Sequence, residues 1–261
     1  MKNILDSILE YKVQEVKEFK KMYTHDKSRN SKPSKDFSLI KQLESSDTMQ
    51  VIAEIKRGSP SKGLFAPDLD ILAQSSKYNS DGASAISVLT DKRSFFGGFE
   101  DIEKIRPNVN LPILCKDFII DEIQIDIAKS IGANLILLIV AAHPLERLRE
   151  LLDYSKSMGL EVLVEVHNKE ELDIALQLNH SLIGVNNRNL KTFKTDLQVS
   201  LDLIKNLDTT NLHFISESGI KTKEDVVLLS EAGFKGVLVG ESLIRNGIDG
   251  NLISEISKVK R

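Results

Sequence analysis

From about residue 50 onward, short apolar runs alternate with stretches of helical periodicity, eight times over. The runs centre near Ile52, Ile86, Ile113, Leu137, Leu163, Ile183, Phe214 and Val237. Their centres lie roughly 20 to 35 residues apart, room for a right-handed crossover helix between parallel neighbours. Runs as continuously apolar as 135–140 fit strands buried on both faces. Between the runs, the spacing predicts helices over 69–78, 120–130, 144–158, 169–178, 197–206 and 223–232. Ser80-Asp81-Gly82, Ile131-Gly132 and Ala232-Gly233 supply stop signals before the following strands.

Ahead of the first run, Asn3 is placed to cap a helix reaching about Met22. Its apolar positions are Ile4, Leu5, Ile8, Leu9, Val13, Val16 and Phe19. Residues 23–38 turn polar and read as a connector, and a short helix is expected over 37–43. The pattern predicts a (β/α)8 TIM barrel forming one domain over 1–261, with residues 1–48 as an N-terminal helical extension. A doubly wound open sheet is the competing arrangement, but no Gly-x-Gly-x-x-Gly follows the first strand.

Composition narrows the function classes. With 35 basic and 38 acidic residues, the net charge of −3 gives no support for a nucleic acid or an anionic membrane as partner. No apolar stretch reaches about 18 residues, and the N-terminus lacks a signal peptide's apolar core. The single cysteine, Cys115, excludes an intrachain disulfide and fits a reducing cytoplasm. Five scattered histidines form no His-x-His or His-x-x-x-His pair, which argues against a histidine metal site.

Candidate chemistry lies where strands end. Side chains alternate along a strand, so Glu54 and Lys56 extend the face of Ile52, Lys116 that of Leu114, and Glu165 that of Leu163; Asn186 ends the run from Leu182. Unpaired charges on an apolar face are costly, and a barrel gathers such strand ends on its active-site rim. The following segment, Arg57-Gly58-Ser59-Pro60-Ser61-Lys62-Gly63, taken alone is equally compatible with a solvated connector.

Glu54-Ile55-Lys56-Arg57-Gly58-Ser59-Pro60-Ser61-Lys62-Gly63 closely resembles the signature of the indole-3-glycerol phosphate synthase family. Further segments agree in order and spacing: Leu89-Thr90-Asp91 with Phe95-Phe96-Gly97-Gly98, Cys115-Lys116-Asp117-Phe118, Leu163-Val164-Glu165-Val166-His167, the run from Gly184 to Leu190, the run from Ser216 to Ile220, and Val239-Gly240-Glu241-Ser242-Leu243. The resemblance implies a tryptophan-pathway barrel enzyme acting on 1-(2-carboxyphenylamino)-1-deoxyribulose 5-phosphate. It would release indole-3-glycerol phosphate, carbon dioxide and water with no cofactor or metal. It further implies a cytoplasmic monomer whose partner is this small phosphosugar.

By the same resemblance Lys116 is the general acid, with a nearby cation expected to lower its pKa toward working pH. Lys56 holds the substrate carboxylate and can serve as a second acid, Glu165 is the base, and Glu54 supports the lysines. Asn186 and Arg188 position hydroxyls, although a hydrogen-bonded turn explains them equally well. The phosphate falls to Ser218-Gly219 and Gly240-Glu241, with Glu217 beside them and Ser59 and Lys56 completing the pocket. Gly219 and Gly240 are expected to let the backbone approach the phosphate oxygens. Many family members carry serine at position 241, so Glu241 is expected to turn its carboxylate away. Leu89, Phe95, Phe118 and Leu137 are candidates for the aromatic slot, or for ordinary core. Cys115 should face the helices, and His167 reads as a satisfied or exposed histidine. Another phosphosugar barrel, such as phosphoribosylanthranilate isomerase or a tryptophan synthase α subunit, lacks the full Lys56/Lys116/Glu165 set. A phospho-ligand binding module would not require every charged strand end.

Overall fold

In the computed structural model, which describes residues 4–23, 37–189, 192, 194–247 and 250–261, eight parallel strands close into a barrel. They are β1 (Gln50–Ile55), β2 (Ala85–Leu89), β3 (Ile113–Lys116), β4 (Leu135–Ile139), β5 (Glu161–Val166), β6 (Leu182–Asn186), β7 (His213–Glu217) and β8 (Gly236–Val239). Each pairs with its sequence neighbours, and β8 closes onto β1 with Ala53 opposite Val239. Asn3, residues 24–36 of the expected connector and Leu190 lie outside the described residues.

Capping side chains set the helix starts and account for the small differences from the expected boundaries. Helix α1 spans Ile4–Tyr23 and α2 spans Leu39–Ser45, two residues later than expected, because Ser38 accepts from Lys41 N. Asp70 caps α3 (Ile71–Ser80). Two helices that periodicity did not predict, α4 (Lys92–Phe95) and α5 (Phe99–Ile105), fill the β2–β3 crossover; Asp91 caps α4. Asp121 caps α6 (Glu122–Ser130), Pro144 precedes α7 (Leu145–Ser157), and Asn168 caps α8 (Lys169–Leu176). The remaining helices are α9 (Gln198–Ile204), α10 (Lys223–Ala232), α11 (Glu241–Asn246) and α12 (Leu252–Ile256).

Alternation divides the core in two. Outward side chains such as Val51, Val88, Cys115, Val164 and Val237 pack against the helices, so Cys115 has the structural position expected of it. Inward side chains Ile52, Leu114, Leu135, Leu137, Leu163, Ile215 and Leu238 fill the barrel, and Leu39 and Leu43 of α2 pack on the same cluster. The carboxylate of Glu161, at the start of β5, takes a hydrogen bond from the Ser38 hydroxyl and one from Leu39 N at 2.9 Å. Helix α2 thereby plugs the N-terminal end of the barrel and leaves the C-terminal end open. Among the described residues no helix is long and apolar enough to cross a membrane.

Candidate active site

The inward charges meet at the open end. Glu54 Oε1 lies 2.8 Å from Lys56 Nζ, and Glu54 Oε2 lies 3.2 Å from Lys116 Nζ. One buried carboxylate therefore bridges both lysines. Burial alone would raise its pKa, but Lys116 and Lys56 outweigh that and bring it to about 2. Glu217, fully buried, contacts Lys116 Nζ at 3.0 Å. Room for the Glu217 carboxylate comes from Gly184 on β6, where a Cβ would strike its Oε1. Among the described residues that Oε1 has no hydrogen-bond partner, and burial pushes the carboxyl up to about 7 against the pull of Lys116.

The expectation that a neighbouring cation lowers the Lys116 pKa is overturned. Burial pulls it down, but Glu217, Glu54 and Glu165 outweigh burial and hold it above the ordinary lysine value. The ammonium thus stays loaded with its proton across the neutral range. Glu165 stands beside Gly184 in the sheet register and is also held at about 2. Burial acts against ionisation there and is outweighed by His167, then Lys116 and Asn186.

These groups open into a cavity of about 560 Å³. Lys56, Lys116, Glu54, Glu165 and Asn186 line it, as do Ser59, Phe95, Phe118, Leu137, Arg188, Ser218, Gly219, Gly240 and Glu241. Leu89, Phe95, Phe118 and Leu137 supply its apolar side, with the Phe95 and Phe118 ring centroids 6.1 Å apart. Glu217, expected at the substrate, is fully buried and reaches the site through its contact with Lys116. The turn reading of Asn186 also holds, since its Oδ1 accepts from Arg188 N at 3.0 Å.

Ser218 adopts φ 66° and Gly219 φ 87°, successive left-handed residues at the end of β7. A serine there is uncommon, and such strain concentrates at functional turns. Gly240 carries a constraint beside the expected one: a Cβ there would strike Glu54, so the glycine also makes room for the lysine bridge. Glu241 turns its carboxylate to Lys62 and to Arg245 Nε, the latter at 2.7 Å.

Several contributors carry no motif of their own. Leu5 and Ile8 of α1 line the cavity. Between them and Val16 on the same helical stripe lies Lys12, fully buried, 2.6 Å from Asp117 and 3.1 Å from Asp91. Val13, expected on the apolar face, is exposed instead. Asn187 Nδ2 donates to Ser216 Oγ and to the carbonyls of Glu217 and Ser218, holding the β7 turn. His167, expected to be satisfied or exposed, is satisfied on one side only: Nδ1 bonds Glu171 at 2.9 Å, while Nε2 lies 3.1 Å from Glu165 Oε1 as an ion-pair contact without hydrogen-bond alignment.

A model of the family described as indole-3-glycerol phosphate synthase matches residues 5–256. The chain belongs to this family. Indole-3-glycerol phosphate synthase of Bacillus mycoides is 49% identical, over 98% of this chain and 98% of its own length. That of Oceanobacillus iheyensis is 50% identical, over 93% of this chain and 92% of its own. Among solved structures, an N-acetylmannosamine-6-phosphate 2-epimerase from Clostridium perfringens shares the fold at a TM-score of 0.59 and 15% identity. The match covers 77% of this chain and 90% of that one.

Proposed function

We infer that this protein is a carboxy-lyase of tryptophan biosynthesis. It closes the indole ring of 1-(2-carboxyphenylamino)-1-deoxyribulose 5-phosphate with loss of carbon dioxide and water. The observation that carries the assignment of roles is Glu54 bridging Lys56 and Lys116 at the wall of a cavity with an aromatic side. In this reading the anthranilate ring lies against Phe95, Phe118 and Leu137, and Lys56 meets its carboxylate. The ring carbon bearing the carboxylate attacks the ribulose C2 carbonyl while Lys116 Nζ–H protonates the oxygen. The electrons of the C–CO2 bond return to the ring as carbon dioxide leaves. The C2 hydroxyl then departs as water with a proton from a lysine, and the proton lost from C1 passes to Glu165.

Asn186 and Arg188 orient the hydroxyls. The phosphate takes the backbone N–H groups of Ser218-Gly219 and Gly240-Glu241, with Ser59 above. The chain acts as one barrel with residues 1–48 as its extension, in the cytoplasm, as a monomer. The test is ultraviolet or fluorescence detection of indoleglycerol formation by the purified protein without added metal. Absence of product, or full turnover by a folded Glu165→Gln variant, overturns the reaction or the base respectively.

A further inference from the structure

Behind Glu165 lies a second charged chain. Glu165 and His167 are two residues apart on β5 and its extension, so they share the inner face. His167 Nε2 stands 3.1 Å from Glu165 Oε1, and its Nδ1 stands 2.9 Å from Glu171 Oε2. Glu171 is itself fixed. It takes His167 N at 2.9 Å and Asn168 Nδ2 at 2.7 Å, while its own N–H donates to the capping oxygen of Asn168. The imidazole is nearly buried, with 9% of its side chain exposed, and does not line the cavity.

We propose that His167, held by Glu171, is the positioning residue of the base: an imidazolium locked between two carboxylates that keeps Glu165 ionised and aimed at the substrate. The proposal rests on Glu165 acting as the base. A histidine kept only for packing needs one partner, whereas here Nδ1 is hydrogen-bonded to Glu171 and Nε2 is left facing Glu165 at 3.1 Å as a charge contact, and that second carboxylate lines the cavity. Burial works against the imidazolium, yet Glu165 and Glu171 raise it to about 10. The groups in contact with the ring are Glu165 from β5 and Glu171 from α8; Lys116 and Asn186 also act on Glu165.

Two measurements test this separately from the base assignment. Histidine-labelled protein followed by NMR should show His167 doubly protonated beyond pH 8, and losing that proton at lower pH in Glu165→Gln and in Glu171→Gln. In His167→Asn the acid limb of kcat/KM should move up by about one to two pH units, about 10- to 100-fold in rate below the limb, with KM within about threefold. A His167 that titrates near 6.5, or an acid limb unmoved in a folded His167→Asn protein, overturns the proposal. If Glu165→Gln keeps full turnover, the base assignment and the role built on it fall, while the NMR titration still decides whether the charged chain exists.

Discussion

Lys116 and Lys12 face the same electrostatic problem on opposite sides of one strand end. Each is an ammonium taken out of water and surrounded by carboxylates: Glu54 and Glu217 for Lys116, Asp117, Asp91 and Glu15 for Lys12. In each, burial pulls the pKa down and the carboxylates outweigh it, leaving both lysines above their ordinary value. Adjacent residues serve the two clusters: Lys116 points into the barrel mouth, and Asp117, at the same cavity's edge, pairs with Lys12 of α1. The difference is access. Lys116 keeps 13% of its side chain open to the cavity, whereas Lys12 is wholly buried and is not part of that cavity's lining. A shifted lysine therefore marks burial among partners, and only the adjoining cavity marks chemistry.

Removing Lys116 gives the largest expected effect. Lys116→Ala should lower turnover by roughly two to four orders of magnitude. The fold should tolerate it, because Glu54 keeps Lys56 and Glu217, already raised to about 7, can take a proton. Steady-state kinetics with a melting curve checks this, and near-normal turnover removes Lys116 as the acid.

Lys12→Met should invert that pattern. It leaves Asp91 and Asp117 facing each other without their cation, a loss of about 3–5 kcal/mol in stability. Turnover of the folded fraction should stay within about tenfold, since the lost group acts on the site through loops. Denaturant unfolding alongside kinetics separates the two; a rate loss as large as that of Lys116→Ala would erase the distinction.

The same pair shows what the sequence could reveal. Period-two alternation placed Glu54, Lys116 and Glu165 on the barrel's inner face, because carboxylates and lysines ending apolar runs are visible locally. Lys12 was visible only as an odd residue on the stripe of Leu5, Ile8 and Val16. Glu15 is in local reach three residues on, but the buried partners Asp91 and Asp117 lie 79 and 105 positions away, so no local pattern could name them. The Lys116 shift had the wrong expected sign for the same reason: Glu217 reaches it across the barrel, through space that Gly184 leaves. Helices α4 and α5 escaped periodicity because seven residues or fewer give too little of it.

The pH dependence of stability sharpens the mouth cluster. Glu54 and Glu165 sit at about 2, below their ordinary 4.5, so their contribution is present above about 4.5 and lost as pH falls toward 2. Glu217 has the opposite sign. With its folded value raised to about 7, its contribution is complete below about 4.5 and lost as pH rises through 7. Glu217→Gln should flatten the melting temperature between pH 5 and 7.5 and leave the acid loss intact. An unchanged slope in that window means that Glu217 titrates normally.

The smallest effect belongs to the glycine that leaves Glu54 its place. In Gly240→Ala the new methyl group meets the Glu54 side chain rather than open space, so the carboxylate must turn before either lysine loses contact. The turn after β8 carries no left-handed penalty, because Gly240 has a negative φ of −125°. A modest fall in turnover, about three- to tenfold, is expected with melting within about 1 kcal/mol of wild type. Inorganic phosphate should compete with substrate as well as before, since the group displaced is the lysine bridge. If phosphate competition weakens while turnover at saturation holds, the missing Cβ at Gly240 matters to the phosphate rather than to Glu54, and its link to the lysine bridge is incidental.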